Sequence, residues 1–328
     1  MLTLASIDVG SNTIRLLIGA VEDERITDIH SGRRITRLGN NVNQTGKLQD
    51  KNMEDSIAAL KEFSFAIAHH RAQYTKAVGT SALREATNAD LFIKKAFGET
   101  GIVIDVISGE QEAALTLKGI LASLPMAGYS IPESALIVDM GGGSTEWISI
   151  RKNHAAGAQP ALMMGTIPMG VIKLAQKYVR AGTVSEYDVQ QMAGEIDPVL
   201  LELNARIGHV PKETCLIGTA GTFTTIASVD LGLEQYSRER IHLHTIPFNR
   251  LLAIKDRLFS LTLKERETMR GLEPGRADLI IPGIQFTISM MKQFSIDELI
   301  VSDHGLLEGA LLSIRDIHEK SISETGKS

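Results

Sequence analysis

Cysteine is almost absent from this chain, with Cys215 alone among 328 residues. That excludes an internal disulfide framework and a cysteine-rich metal site, and it fits a reducing compartment. A surplus of positive charge is missing too. The chain carries 34 Lys and Arg against 39 Asp and Glu, a formal net charge of -5. No global field therefore draws DNA or an anionic membrane, and an anionic ligand has to be gripped locally. Nor is there an apolar run of about 18 residues or more. Asp8 falls inside what would be the apolar stretch of a secretory signal, and no basic lead precedes it. The expectation is a soluble, cytoplasmic protein with neither DNA nor membrane as partner.

The chain does contain enough apolar residues for more than one core. At 43% hydrophobic and 22% charged over 328 residues, two globular domains are expected. Short β-branched runs alternate with helical stretches, the pattern of α/β or mixed α+β layering. Leu4 to Val9 reads as a strand, Ile14 to Ala20 as its partner, and Asp50 to His69 as an amphipathic helix with Ile57, Leu60 and Ile67 on one face.

The halves of the sequence echo each other. Ile7-Asp8-Val9-Gly10-Ser11-Asn12-Thr13 is matched by Val138-Asp139-Met140-Gly141-Gly142-Gly143-Ser144-Thr145, and Val78-Gly79-Thr80-Ser81-Ala82 by Ile217-Gly218-Thr219-Ala220-Gly221-Thr222. A duplicated fold is the economical explanation. Two like domains would then face each other across a cleft, where small ligands usually bind. The expected division is 1–125, 126–304, a C-terminal helix over 305–318 packing back on the first domain, and a flexible tail over 319–328.

Several segments could carry chemistry. Gly141, Gly142 and Gly143 would leave backbone free to adopt positive φ and turn N–H groups onto one anion, with Ser144 and Thr145 adding hydroxyls. A glycine-containing hairpin is the plain alternative. Asp139 and Glu146 fall on apolar strand faces, where an unpaired carboxylate is costly, so a divalent cation or a proton relay is expected beside them. Gly10 to Thr13 repeats the turn with one glycine, and Arg15 follows as a cation within reach of a phosphate. Gly218, Thr219 and Gly221 lie between a strand over Thr214 to Ile217 and a helix expected near Phe223, an arrangement that binds anions. The alternative there is a glycine needed for close packing, and the lysine of a Walker A loop is lacking.

Ser108 and Gln111 are spaced as a capping box, after an expected strand over Gly101 to Ile107, and Glu112 falls in the first helical turn. An acid there gains from the helix dipole and needs no other role. Arg33, Arg34 and Arg37, with Lys47, form a basic cluster that is either a polyanion contact or a solvated loop. Arg84 is equally open. His242 and His244, two apart on an expected strand, would share a face, with no third metal ligand nearby.

Taken together, IDVGSNT, TRLG at Thr36 to Gly39, GTSALREATNA from Gly79, SGEQEA from Ser108, IVDMGGGSTE ending at Glu146, PMGVIKL from Pro168 and GTAGTFTTIAS from Gly218 resemble the Ppx/GppA family of exopolyphosphatases and guanosine pentaphosphate phosphohydrolases. The resemblance implies an α/β protein of two duplicated actin-like (ribonuclease H-like) domains, each a mixed sheet with covering helices, flanking a central cleft. It places the catalytic glutamate at Glu112, and Glu146 is expected to be catalytic too, beside the metal. It implies Mg²⁺, or Mn²⁺, at Asp8, Asp139 and Glu146, and substrate phosphates on the glycine turns with Arg15, Arg37 and Arg84. Polyphosphate or guanosine pentaphosphate is the implied substrate, and a homodimer is left open. Two departures stand out: Gln111 replaces a family glutamate, and Leu307 replaces an arginine in Gly305-Leu306-Leu307-Glu308-Gly309. An actin-like kinase or ATPase, and a sensor that binds guanosine alarmones without hydrolysis, are the competing readings.

Overall fold

The structure is a computed structural model and describes residues 2–22, 25–130, 133–153, 160–180 and 183–325. The chain divides into two units, Met1–Ser130 with His304–Ser328, and Ile131–Asp303.

The first unit is built on a five-stranded sheet of β1 (Leu2–Val9), β2 (Thr13–Glu22), β3 (Arg25–Ile35), β4 (Tyr74–Gly79) and β5 (Ile104–Val106), in the order β3-β2-β1-β4-β5. The first three strands form an antiparallel meander, and β4 and β5 run parallel to β1. Alternation along the strands sends Ala5, Ile7, Val9, Ile14, Leu16 and Ile18 to one face. There they meet the helices Asp50–His69 and Ala89–Thr100 through Ile57, Leu60, Phe63 and Phe92. The other face carries Leu4 and Val21 against Leu311 and Leu312, and Val78 against Ile107 and Leu306.

That second face is covered by the helices Gly109–Ser123 and Leu306–Thr325, which pack tightly on each other. Glycine makes the approach possible. A Cβ on Gly119 would stand 2.0 Å from the Gly305 carbonyl oxygen, and one on Gly309 would stand 1.8 Å from that of Leu115. The last helix continues to Thr325, past the expected stop at 318, so the tail is helical over most of its length. Residues 326–328 lie outside the described residues. The strand expected over Gly101 to Ile107 is formed only at Ile104–Val106, after a left-handed Gly101 closes the preceding helix.

The second unit holds six strands: β6 (Ser134–Met140), β7 (Thr145–Arg151), β8 (Ala161–Ile167), β9 (Cys215–Thr219), β10 (His244–Pro247) and β11 (Glu298–Val301). Their order is β10-β11-β9-β6-β7-β8. Taken from β8, the series β8-β7-β6-β9-β11 repeats β3-β2-β1-β4-β5, with β10 added antiparallel at the edge. Both sheets are mixed, and the duplication read from the sequence is a duplication of topology. The helix Ile280–Phe294 is apolar on nearly every side and correspondingly buried, packed against Glu186–Ile207 in the core of this unit. Among the described residues no helix is long and apolar enough to cross a membrane.

Candidate functional site

Strand pairing places the acids of the second unit. β6 and β7 are antiparallel with Asp139 directly opposite Glu146, in a row with Ile137 opposite Ile148 and Ala135 opposite Ile150. Asp139 is 5% exposed and Glu146 0%. Like charges facing each other across a pair, with Cβ atoms about 4.5–5.5 Å apart, are destabilising in isolation. Glu146 Oε1 accepts hydrogen bonds from Ser144 Oγ and Thr166 Oγ1, each at 2.9 Å, which fixes its orientation.

The turn between those strands is held from below. Gly141 N–H donates to the Ser144 carbonyl at 3.0 Å, and the carbonyls of Gly141 and Gly142 accept from Val171 and Ile172 N–H at 3.1 and 2.9 Å. Thr145 Oγ1 donates to the Met169 carbonyl at 2.6 Å. Gly170 allows this fit, since a Cβ there would lie 2.4 Å from the Gly142 oxygen. The Pro168-Met169-Gly170 segment is thus the seat of the turn. Contrary to expectation, none of Gly141, Gly142 and Gly143 has positive φ.

The first unit repeats the geometry with one decisive change. Asp8 stands opposite Arg15, at the position where Asp139 meets Glu146. Arg15 Nε and Nη2 both donate to Asp8 Oδ2, at 3.0 and 2.7 Å. Asp8 Oδ1 is buried and has no hydrogen-bond partner among the described residues. The Gly10 to Thr13 turn is tied to the Thr36–Gly39 loop, where Thr36 and Arg37 N–H donate to the Asn12 carbonyl and Gly39 N–H to that of Ser11 at 2.7 Å. Arg37 has φ 51°, a left-handed value costly for a side-chain-bearing residue.

Glu112 lies in the first turn of the helix Gly109–Ser123 and is 7% exposed. The capping box is formed: Gln111 N–H donates to Ser108 Oγ at 3.2 Å, and Ser108 N–H to Gln111 Oε1 at 2.8 Å. Gln111 is exposed, so its lost charge falls on a helix cap. Arg84, from the short helix Ser81–Glu85 after β4, donates from Nη1 to Glu112 Oε2 at 2.6 Å and to the Ile107 carbonyl at 3.0 Å. The structure therefore makes Arg84 the partner of Glu112. The Gly305–Gly309 motif caps and seats the last helix: Gly305 N–H donates to Glu308 Oε2 at 2.8 Å, and Leu307 is half-buried.

The Gly218 segment differs from its prediction. The helix begins at Ala220, directly from β9, so Gly218 and Thr219 are strand and Gly221 is in the first helical turn. Both glycines make room for side chains. A Cβ on Gly218 would stand 2.2 Å from the Phe223 ring, and one on Gly221 would stand 2.3 Å from the Arg276 guanidinium. Arg276, 7% exposed and paired with Glu273 Oε2 at 2.7 Å, was missed; the Glu-Pro-Gly-Arg spacing was its signal. Ala220 has φ 66°. Ala220→Gly should therefore raise the unfolding free energy by about 1 kcal/mol, read from a urea midpoint. A lower midpoint would mean that helix propensity outweighs the strain.

His242 and His244 do not share a strand face, because His242 caps the helix Arg238–Ile241 and Leu243 turns the chain at φ 61°. His244 bonds Asp230 at 2.8 Å. Among the described residues no group of three or more His, Cys, Asp or Glu is arranged to hold a metal. Cys215 is free and half-buried, and burial pushes its thiol up to about 11. The three arginines also separate: Arg34 is paired with Glu62 at 2.6 Å on the side of the helix Asp50–His69.

Residues 17–318 match the Ppx/GppA phosphatase family. The chain is 33% identical over 317 residues to a bifunctional 3-dehydroquinate synthase/phosphatase of Fusobacterium nucleatum, covering 94% of this chain but only 46% of that protein. It is 29% identical to Exopolyphosphatase 2 of Mycobacterium tuberculosis over 95% of this chain and 98% of the relative. It is 25% identical to a guanosine-5'-triphosphate,3'-diphosphate pyrophosphatase of Photobacterium profundum, covering 97% and 62%. Among solved structures, the Ppx/GppA family member of Aquifex aeolicus is 30% identical with a TM-score of 0.77, covering 97% of this chain and 98% of that one.

Proposed function

The chain belongs to the Ppx/GppA phosphatase family, and from that premise we propose that it is a phosphohydrolase releasing terminal phosphate from inorganic polyphosphate, guanosine pentaphosphate or both, by attack of water. The names of its relatives support this substrate class. The observation that carries the reading is the Asp139–Glu146 pair: two buried carboxylates opposed in register at the foot of the Gly141–Thr145 turn, oxygen donors of the kind a hard cation takes.

The donor set fits a hard cation. Mg²⁺ usually keeps several waters and takes one or two protein carboxylates plus substrate phosphate oxygens, so two acids without a third ligand suffice. Asp139 and Glu146 would hold it, with Mn²⁺ the other oxygen-preferring choice; in the first unit Asp8 Oδ1 is a further buried carboxylate oxygen. Bound there, the cation would neutralise charge on the transferring phosphoryl oxygens. Glu112 orients the attacking water and accepts its proton, and Arg84 fixes the carboxylate that does so. The Ser144 and Thr145 hydroxyls are taken up by Glu146 and the Met169 carbonyl, so the backbone N–H groups of Gly142 and Gly143, and in the first unit those of the Ser11–Thr13 turn beside Arg15, are the donors for phosphate oxygens. The low cysteine content agrees with work in the cytoplasm.

Phosphate release should be measured in parallel on long polyphosphate, tripolyphosphate, guanosine pentaphosphate and ATP. Turnover of ATP above all the others would favour a kinase or ATPase instead. Glu146→Gln keeps an oxygen to accept from Ser144 and Thr166, so it should fold normally. It should raise the Mg²⁺ concentration for half-maximal rate by about 10–100-fold. An unchanged Mg²⁺ requirement would remove Glu146 from the cation.

A further inference from the structure

Met140 joins the two parts of the second unit's candidate site, since it lies between Asp139 and the Gly141–Thr145 turn. Its carbonyl accepts a hydrogen bond from Thr222 Oγ1 at 2.9 Å, from 82 residues further along the chain. Thr222 is 5% exposed and sits in the first turn of the helix Ala220–Asp230. The parallel pairing of β6 with β9 ends with Asp139 opposite Thr219, and Ala220 then turns the chain into the helix at φ 66°. The Thr222 hydroxyl thus takes up the next carbonyl of β6, where that ladder has stopped.

The first unit makes the same tie with a different donor. Val9 follows Asp8 as Met140 follows Asp139, and its carbonyl accepts from the backbone N–H of Thr80 at 3.3 Å, just past the end of β4. Both copies therefore fasten the carbonyl beside the strand-end aspartate to the turn that leaves the neighbouring strand. In the second unit the hydroxyl is also aimed by packing. A Cβ on Gly283, from the helix Ile280–Phe294, would stand 2.5 Å from Thr222 Cγ2, so the threonine methyl fills the space beside that glycine. Methyl and hydroxyl turn together about one bond, and seating the first directs the second at Met140. We propose that Thr222 is a positioning residue: acting through Met140, it holds the Asp139 carboxylate in the place from which it takes the cation. This rests on the cation-assisted phosphohydrolase reading above and deepens it.

The test uses the full chain with Thr222→Val, which nearly keeps the shape and removes the hydroxyl, and Thr222→Ser, which keeps the hydroxyl and removes the methyl. Mn²⁺ affinity is read from the electron paramagnetic resonance of the free ion, alongside phosphate release from polyphosphate and guanosine pentaphosphate, with folding checked by thermal melts. Thr222→Val should weaken Mn²⁺ binding about tenfold, the loss usual when a hydrogen bond supporting a metal ligand is removed, and Thr222→Ser should stay within about twofold of wild type. Gly283→Ala should weaken binding as Thr222→Val does, because its Cβ displaces the threonine methyl. Adding Thr222→Ser to Gly283→Ala should restore the affinity, since the new Cβ then meets Val171 Cγ1 at an ordinary 3.6 Å. Wild-type affinity in Thr222→Val, a loss in Thr222→Ser as large as in Thr222→Val, or no recovery in the double variant would overturn the assignment of Thr222. Wild-type protein that binds no Mn²⁺, or that releases no phosphate from either substrate, would instead overturn the reading on which the proposal stands.

Discussion

Glu112→Gln should lower kcat by about 10²–10⁴-fold, the usual loss when a positioned base is removed, with little change in KM. The substitution is nearly isosteric, and its amide oxygen can still accept from Arg84, which now spans 2.6 Å to the carboxylate. Only the charge and the proton-accepting power are lost. Because the Arg84 side chain is 21% exposed, water offsets part of the missing charge, and the stability cost should stay near 1 kcal/mol. Glu112→Ala removes the acceptor as well and should cost more stability for a similar loss of rate. Phosphate release and a thermal melt on the same samples separate these effects. Undiminished turnover in Glu112→Gln would assign the helix-terminal acid to capping alone.

Gly309→Ala should damage stability and rate together. Its Cβ would stand 1.8 Å from the Leu115 carbonyl oxygen and 2.6 Å from the Leu115 carbonyl carbon. Those are backbone atoms of the helix Gly109–Ser123, so no rotamer change can clear them and the two helices must move apart. Overpacking of this kind costs about 1–3 kcal/mol, occasionally more, and the upper end is expected here. The displaced helix also carries Glu112, one turn from Leu115, and a 1 Å misplacement of a catalytic group can cost about 10²-fold in rate. Gly194→Ala is the matched control. Gly194 lies inside the helix Glu186–Ile207 with nothing within 4 Å of a new Cβ, so it should gain about 0.5–1 kcal/mol. Comparable urea midpoints for the two variants would show that the tight helix contact yields at low cost.

Much of the fold is legible in the sequence. The strands around Asp8 and Asp139, the helix Asp50–His69 and the capping box at Ser108 follow from alternation, helical periodicity and a three-residue spacing. These are local signals with local causes. The duplication is legible because each copy keeps its strand-end aspartate and turn. What escapes the sequence depends on residues far apart in the chain. Gly218 and Gly221 read as an anion loop but yield space to Phe223 and Arg276, and the latter approach cannot be foreseen from a segment 55 residues away. Arg84 reads as a substrate contact until the fold brings it to Glu112. The arginines at 33 and 34 read as one cluster, although strand alternation sends them to opposite faces; the period is visible, and only the strand boundary is not.

The matched positions of Arg15 and Glu146 carry a wider consequence. Both lie seven residues after a strand-end aspartate, on the same framework. The side chain at that point sets the charge each hairpin presents beside its aspartate: a cation at Arg15, a second carboxylate at Glu146. One replacement can thus invert the electrostatics of a duplicated hairpin with no remodelling of the scaffold that presents it.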